Sequence, residues 1–307
     1  MRKGPAIAIG LLVLIVVAFG AFVLLQGAPS GAAPSVSATE SAEPTEAPLD
    51  EGLLAERLTV LVIGTDRNAE RADSGEPENT DAILLASISA DQSELALVSL
   101  PRDTVDIPLS DGSTWDEKVN AILRERDVET LVGAMETLFD VPIDGHVVID
   151  MEDFAALVEA AGGIDVAPEQ ALVDPGIDFS IEPGAQRLDA TEALKYVRSR
   201  QDGDYNRAAR QQEVLLALVA ELTDPQTDVD LRQLLDGLGS LETDLPLDDL
   251  PTLLEIARRA QTADVTREVL QPPRFIAFEG DRGDGRGYIL EPDIDAMQSL
   301  VQELMGE

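Results

Sequence analysis

The chain has no cysteine. Disulfides, thiolate nucleophiles, cysteine-ligated metals and a lipid-modified cysteine anchor are thereby excluded. It has one histidine, His146, and a lone histidine is more often a hydrogen-bonded structural residue than a ligand. Ser99 has no histidine partner in view, which argues against a Ser-His-Asp hydrolase. Lysine is nearly absent: Lys3, Lys118 and Lys195 are the three, so nineteen of the twenty-two cationic residues are arginines. Aromatics make up only 4% of the chain, although 44% of it is hydrophobic, enough for a substantial core. Positive charge is scarce overall, with a formal net charge of −37. That disfavours general nucleic-acid binding, which needs a basic surface to release counterions, and flat docking on anionic lipid head groups.

What is present begins at the N-terminus. Residues 5–25 are uncharged and almost wholly apolar, about the twenty residues a helix needs to span hydrocarbon. Arg2 and Lys3 precede them and no Lys or Arg follows until Arg57. The positive-inside rule then keeps residues 1–4 cytoplasmic and the bulk of the chain extracytoplasmic, as a single-pass protein of the cell membrane. A cleaved signal peptide is the alternative, with small residues at 31–33, but its apolar core is usually shorter. Residues 26–52, rich in Ala, Pro, Ser, Thr and Glu, read as a disordered tether.

From residue 53 to 307 the pattern is that of one α/β domain, a central mixed β-sheet flanked by helices, with a core over 58–222. Strands are predicted at 58–64, 82–89 and 94–100, the last two joined by a tight loop. Helices are predicted from Lys118, over 129–138, 151–161 and 191–197, and from Asp204 as cap to about Leu222. Beyond Asp224, acidic helical segments with one late strand, 274–280, are expected. The Gly-rich turn after it (Gly283 to Gly287) lacks the spacing of a phosphate-binding loop.

Four arginines, Arg198, Arg200, Arg207 and Arg210, fall within thirteen residues, followed by Gln211 and Gln212. Clustered guanidiniums repel one another, and the rigid donor fork of arginine suits phosphate or carboxylate. Three further features sit at predicted strand ends: Asp66, Asp81, and the run Ser99-Leu-Pro-Arg102-Asp103. Strand ends converge at one sheet edge, where ligand sites of α/β proteins lie. Two carboxylates there can share Mg²⁺, which takes one or two carboxylates plus phosphate oxygens. Lys118 and Asn120 could reach a phosphate or sugar, or simply start a helix. A single arginine in this setting reads as a surface ion pair; four arginines, two glutamines and several strand-end carboxylates together point to a bound diphosphate.

These residues resemble the LytR–CpsA–Psr (LCP) family of bacterial cell envelopes. The matching pieces run in order through VLVIGTD, NTDAILLASI, ALVSLPRD, KVNAI, FAALVEAAGGIDV, ALKYVRSR and DYNRAARQQ. The resemblance implies a Mg²⁺-assisted phosphotransferase that moves a glycopolymer, such as a teichoic acid, capsule or arabinogalactan, from a polyprenyl-pyrophosphate carrier to a peptidoglycan hydroxyl. It implies that Asp66 and Asp81 hold the metal. Arg102, Arg198, Arg200, Arg207, Arg210, Gln211 and Lys118 would serve the pyrophosphate. Asp103 and Asp204 would orient the arginines or help proton transfer. An apolar groove, marked by no motif, would take the prenyl chain. The family often has arginine two residues before the second aspartate and two after the first, where this chain has Asn79 and Asn68; Arg67 and Arg71 are the candidates to substitute. Two other readings fit the same residues: a non-catalytic polyprenyl-phosphate-binding envelope protein or regulator, and a lipid pyrophosphatase.

Overall fold

The computed structural model describes residues 49–67, 78–224, 227, 241–245, 250–260 and 262–306. The predicted membrane helix, the tether up to residue 48, Asn68 and Arg71 lie outside them. No helix among the described residues is long and apolar enough to cross a membrane. Asp50, whose carboxylate accepts from the Gly52 and Leu53 amides, caps helix α1 (Glu51–Ala55), so the last residues of the predicted tether are helical.

Six strands form the central sheet: β1 (Leu58–Thr65), β2 (Thr80–Ile88), β3 (Glu94–Ser99), β4 (Gly145–Ile149), β5 (Glu242–Thr243) and β6 (Asp264–Val269). Their order is β5-β4-β1-β2-β3-β6. β1 runs antiparallel to β2 and parallel to β4, β2 is antiparallel to β3, and β6 is parallel to β3. The sheet is therefore mixed, as predicted. Successive side chains on a strand point to opposite faces, and both faces here are apolar. Val60 and Val62, with Leu84, Ala86 and Ile88, enter one core. Leu61 and Ile63, with Ile83, Leu85 and Val98, enter the other. A strand buried on both faces reads as a continuous apolar run, which is how β1 and β2 announce themselves.

Helices cover each face. On the first lie α4 (Met151–Ala160), α5 (Ala190–Arg198), α6 (Asp204–Thr223) and α7 (Leu250–Ala260). On the second lie α2 (Ile122–Glu125), α3 (Val128–Phe139) and α8 (Ile294–Met305). The Asp189–Glu192 capping box opens α5 as its sequence indicates. The N-cap of α6 is Gly203, not Asp204. Gly203 takes φ near 100°, a conformation that disfavours residues with a Cβ. The Asp204 carboxylate turns instead to two arginines.

The C-terminal part holds more strand than the one segment predicted. β6, β7 (Ile276–Asp281) and β8 (Tyr288–Pro292) are all present, the last two forming a hairpin around the Gly-rich turn. β6 reads Asp-Val-Thr-Arg-Glu-Val and is largely exposed. It is an edge strand, paired only with β3, and edge strands carry charge instead of an apolar run.

Gly64 is the next-to-last residue of β1. A Cβ there would meet the Ala82 Cβ at 2.9 Å, so glycine is what lets β2 approach at the register that delivers Asp81. Gly64→Val is expected to lower the unfolding free energy by about 1–3 kcal/mol, measured by urea denaturation; an unchanged midpoint would show that β2 yields without cost.

Candidate functional site

β1 and β3 end, and β2 begins, at one edge of the sheet. Asp66 follows β1, Asp81 is the second residue of β2, and Arg102 lies three residues past β3. Asp66 is buried, and its Oδ1 accepts from the Asn79 amide at 2.7 Å. Asp81 Oδ1 accepts from Arg102 Nη1 at 2.5 Å and Arg200 Nη2 at 3.3 Å, with Arg207 Nη1 at 3.9 Å. Three guanidiniums from three segments thus share one carboxylate oxygen. Asp204 Oδ1 adds a second anchor, 3.1 Å from Arg207 Nη2 and 3.5 Å from Arg200 Nε.

Arg207 is the most enclosed of these, at 4% exposure. Burial is the main cause that lowers its guanidinium to about 10; Asp81 opposes the shift and Arg200 adds to it. It remains charged at neutral pH. The Nε atoms of Arg102 and Arg207 are buried without hydrogen-bond partners, and an unsatisfied buried donor costs about 1–3 kcal/mol. An incoming oxyanion can satisfy both.

Arg198 and Arg200 end α5 and begin the loop to α6. Arg198, Arg200 and Arg102 line a polar cavity with Asp66, Asn79 and Asp81. Arg102, Arg198 and Arg207 also line a second cleft with Asp81 and Gln211. That cleft encloses about 1080 Å³ including its open mouth, and runs between the sheet and helices α4, α5 and α6. Its wall is apolar: Leu84, Ile149, Phe154, Leu157, Val197 and Leu215 are among the lining residues. The two cavities share Asp81, Arg102, Met151 and Arg198, so a charged mouth opens onto a greasy interior.

Lys118 sits one step back. Its Nζ is 2.8 Å from Asp103 Oδ1, while Asp103 Oδ2 lies 3.8 Å from Arg102 Nε. The Lys118 segment is strapped to the arginine loop through backbone bonds, Val119 N to Thr104 O and Asn120 N to Arg102 O. Lys118 therefore meets the site through Asp103.

Arg210 is apart from the other site residues. Its Nε donates to Tyr196 O at 3.0 Å, Nη1 to Asp202 Oδ2 at 2.5 Å and Nη2 to Ser199 O at 2.5 Å, and the guanidinium lies over the Tyr196 ring. It lines neither cavity. Its place in the run is explained by spacing: on α6, Arg207 and Arg210 are three apart, but burial turns Arg210 toward the α5–α6 loop that carries Arg198 and Arg200. Asp174 grips the same loop, accepting from Ser199 Oγ at 2.7 Å and Gln201 Nε2 at 3.2 Å. Ser199 chiefly, with Gly176 and Gln201, holds the Asp174 carboxyl below its usual range.

Gln212, part of the run in sequence, plays a tying role here, and Arg124 is a contributor the sequence did not single out. Gln212, buried, donates to Ser99 Oγ at 2.8 Å and to Glu268 O at 2.9 Å, tying α6 to β3 and β6. Arg124, from α2, donates through Nη1 to Asn79 Oδ1 at 2.5 Å. A guanidinium thus does stand at Asn79, brought from a distant segment; the only signal was the arginine six residues after Lys118. His146 is buried with Nδ1 3.1 Å from Asp244, away from this edge.

An α/β protein with an arginine-rimmed polar cavity at the mouth of an apolar cleft is the class that fold and geometry define. Within it, the chain belongs to the LytR_cpsA_psr family, whose pattern matches residues 25–304. Among its relatives, the "Polyisoprenyl-teichoic acid--peptidoglycan teichoic acid transferase TagU" of Enterococcus faecalis is 29% identical, with 82% of this chain and 80% of that protein covered. The protein of the same name from Halalkalibacterium halodurans is 28% identical over 81% of this chain and 77% of its own. The crystal structure of Bacillus subtilis TagV shares the fold, with a TM-score of 0.65 at 19% identity, covering 82% of this chain and 98% of the other.

Arg210→Ala leaves Asp202 and two carbonyls without their cation. It is expected to cost about 3 kcal/mol of stability, read by chemical denaturation, whereas Arg200→Ala at the half-exposed rim is expected to cost under about 1 kcal/mol. Equal losses would remove the structural assignment of Arg210.

Proposed function

We propose that the chain is a phosphotransferase that moves a glycopolymer from a polyprenyl-pyrophosphate carrier to peptidoglycan. The observation that carries this reading is the junction of Arg102, Arg198 and Arg207 with an apolar cleft. A pyrophosphate with a long hydrocarbon tail is the ligand chemistry that uses both halves. Relatives named as transferases of polyisoprenyl-linked teichoic acid to peptidoglycan support it.

In the transfer, the acceptor hydroxyl oxygen attacks the phosphorus bonded to the glycan. The bond from that phosphorus to the bridging oxygen breaks, and polyprenyl monophosphate leaves with the electron pair. The hydroxyl proton passes to a site carboxylate, for which Asp103 and Asp204 are the candidates. Arg102, Arg198, Arg200 and Arg207, with Gln211, bind the diphosphate and stabilise the charge that develops on its oxygens. Asp81 neutralises these arginines until the phosphate takes its place. The apolar wall fixes the tail and excludes water, so the reacting phosphorus is held where the acceptor arrives.

Mg²⁺ fits the donor set. Asp66 and Asp81 line one polar cavity, and the hydroxyls of Thr65 and Thr80, each preceding one of these aspartates, are buried without partners. Hard oxygens of this kind suit Mg²⁺ together with phosphate oxygens. Asp66 and Asp81 would hold the ion, which when bound would neutralise diphosphate charge. Residues 5–25 as a single membrane span, N-terminus cytoplasmic, would place the domain outside the cell beside the lipid carrier.

Purified full-length protein, given a lipid-linked glycan, Mg²⁺ and peptidoglycan fragments, is expected to form the glycan–peptidoglycan phosphodiester. Arg102→Ala and Arg207→Ala should each lower transfer by at least about 100-fold with far-UV circular dichroism unchanged. Transfer by both variants at the wild-type rate would defeat the assignment; release of free glycan phosphate would reveal a hydrolase, and mere retention of lipid a carrier protein. Chelation of divalent ions with EDTA is expected to slow transfer while prenyl-pyrophosphate binding through the arginines persists.

A further inference from the structure

The chain has three tyrosines. Tyr196 is buried under Arg210. The other two, Tyr205 on the first turn of α6 and Tyr288 at the start of β8, converge on one carboxylate, Glu279 of β7. Tyr288 Oη donates to Glu279 Oε1. Tyr205 Oη is buried beside Glu279, short of a full hydrogen bond. Tyr288 is 50% exposed, the one aromatic residue so open among the described residues.

This cluster adjoins the reacting centre. β8 is bonded directly to the arginine loop, with Leu290 N donating to Asp103 O at 3.1 Å and Val105 N to Leu290 O at 2.9 Å. Burial, Glu279, Asp103 and Asp204 together raise the Tyr288 phenol to about 12, so it stays a neutral hydroxyl at physiological pH.

Charge separates this side from the arginine side. Both arginines of the hairpin are neutralised internally: Arg282 by Glu291 at 2.7 Å, and Arg286 by Asp284 at 2.8 Å and Asp106 at 3.0 Å. Lys118 is spent on Asp103. What remains to meet a ligand is the open face of Tyr288, its hydroxyl and carboxylates. Phosphate is repelled there. A neutral polyol is not: its hydroxyls donate to carboxylates, and its C–H face packs on an amphipathic ring.

We infer that Tyr288 and Glu279, with Tyr205 buried behind them, form the acceptor subsite, seating a pyranose of the peptidoglycan glycan beside Asp103 and Asp204. This rests on the transferase reading above, and assigns its second substrate to a surface. The donor phosphate and the acceptor sugar then approach from two oppositely charged sides that meet at Asp103 and Asp204.

The test uses the full-length protein, a lipid-linked glycan donor and a soluble peptidoglycan disaccharide fragment as acceptor. Tyr288→Ala is expected to raise the acceptor KM roughly tenfold, the scale of one lost stacking contact, with the donor KM unchanged. Tyr288→Trp should restore it, and Glu279→Gln should raise the acceptor KM while the fold is kept. A wild-type acceptor KM in both Tyr288→Ala and Glu279→Gln, in a preparation whose wild type transfers, would overturn the subsite and leave the transferase reading standing. A parallel loss of prenyl-pyrophosphate affinity would assign the hairpin to the donor and overturn it too. A wild type that only retains or hydrolyses the lipid would sink the transferase reading itself, and the subsite with it.

Discussion

One oxygen of Asp81 holds Arg102, Arg200 and Arg207 together, at 2.5, 3.3 and 3.9 Å. A single negative charge cannot neutralise three guanidiniums; Asp204 relieves two of them, and Asp103, 3.8 Å from Arg102 Nε, is shared with Lys118, which leaves four cations to three carboxylates. The site is therefore assembled short of anion. Two buried arginine Nε groups lack acceptors, and the protein bears that cost while the site is empty of anion. A phosphate that enters finds donors already aimed and already dry, so little reorganisation is left for the moment of reaction. On the transferase reading, Asp81 stands in for the diphosphate, holding the cations together until it binds.

The fold exists to bring that carboxylate to those cations. β2 runs against β1 and β3, so its first residues lie level with their last ones. Asp81 thereby stands between Asp66 and Arg102 although it opens a strand and they follow one. The approach is close enough at Gly64 and Ala82 that a side chain at 64 would collide. From the other layer, the α5–α6 loop swings Arg198 and Arg200 over the same edge. That loop is clamped from beneath by Arg210 and from the side by Asp174. A rigid loop matters because a guanidinium displaced by an ångström loses its paired hydrogen bonds with phosphate.

Much of this was legible in the residues. β1 and β2 are buried on both faces, so their apolar runs stood out; the Asp189–Glu192 box marked α5; Asp66, Asp81 and Arg102 sit at the ends of buried strands in the sequence, and the sheet order brings those ends to one edge. The failures have physical causes. β6 is an edge strand with charge on half of its residues, and no apolar run betrays it. Asp204 has the chemistry of a cap, but a glycine with positive φ took that role and released the carboxylate to the arginines. Arg210 has the same charge and spacing as Arg207, and only burial direction separates a ligand-facing arginine from one that holds a loop. Arg124 reaches Asn79 across forty-five positions of sequence, a proximity that no local pattern encodes.

The acidic surface poses a question for an anion site, since a net charge of −37 repels a diphosphate at long range. Exposed charges act over about 8 Å at physiological ionic strength, and the arginine mouth is partly buried, where screening is weaker. Inside that distance the guanidiniums dominate. Outside it, the repulsion matters only for a ligand that must diffuse in through water. A lipid-linked donor does not: were residues 5–25 the membrane span proposed above, site and substrate would share one thin layer, and effective concentration would replace electrostatic steering. Soluble phosphates, which have no tail to spend on the apolar cleft, meet the repulsion without that compensation. The acidic exterior and the greasy cleft thus discriminate together, favouring the one kind of diphosphate that arrives already anchored.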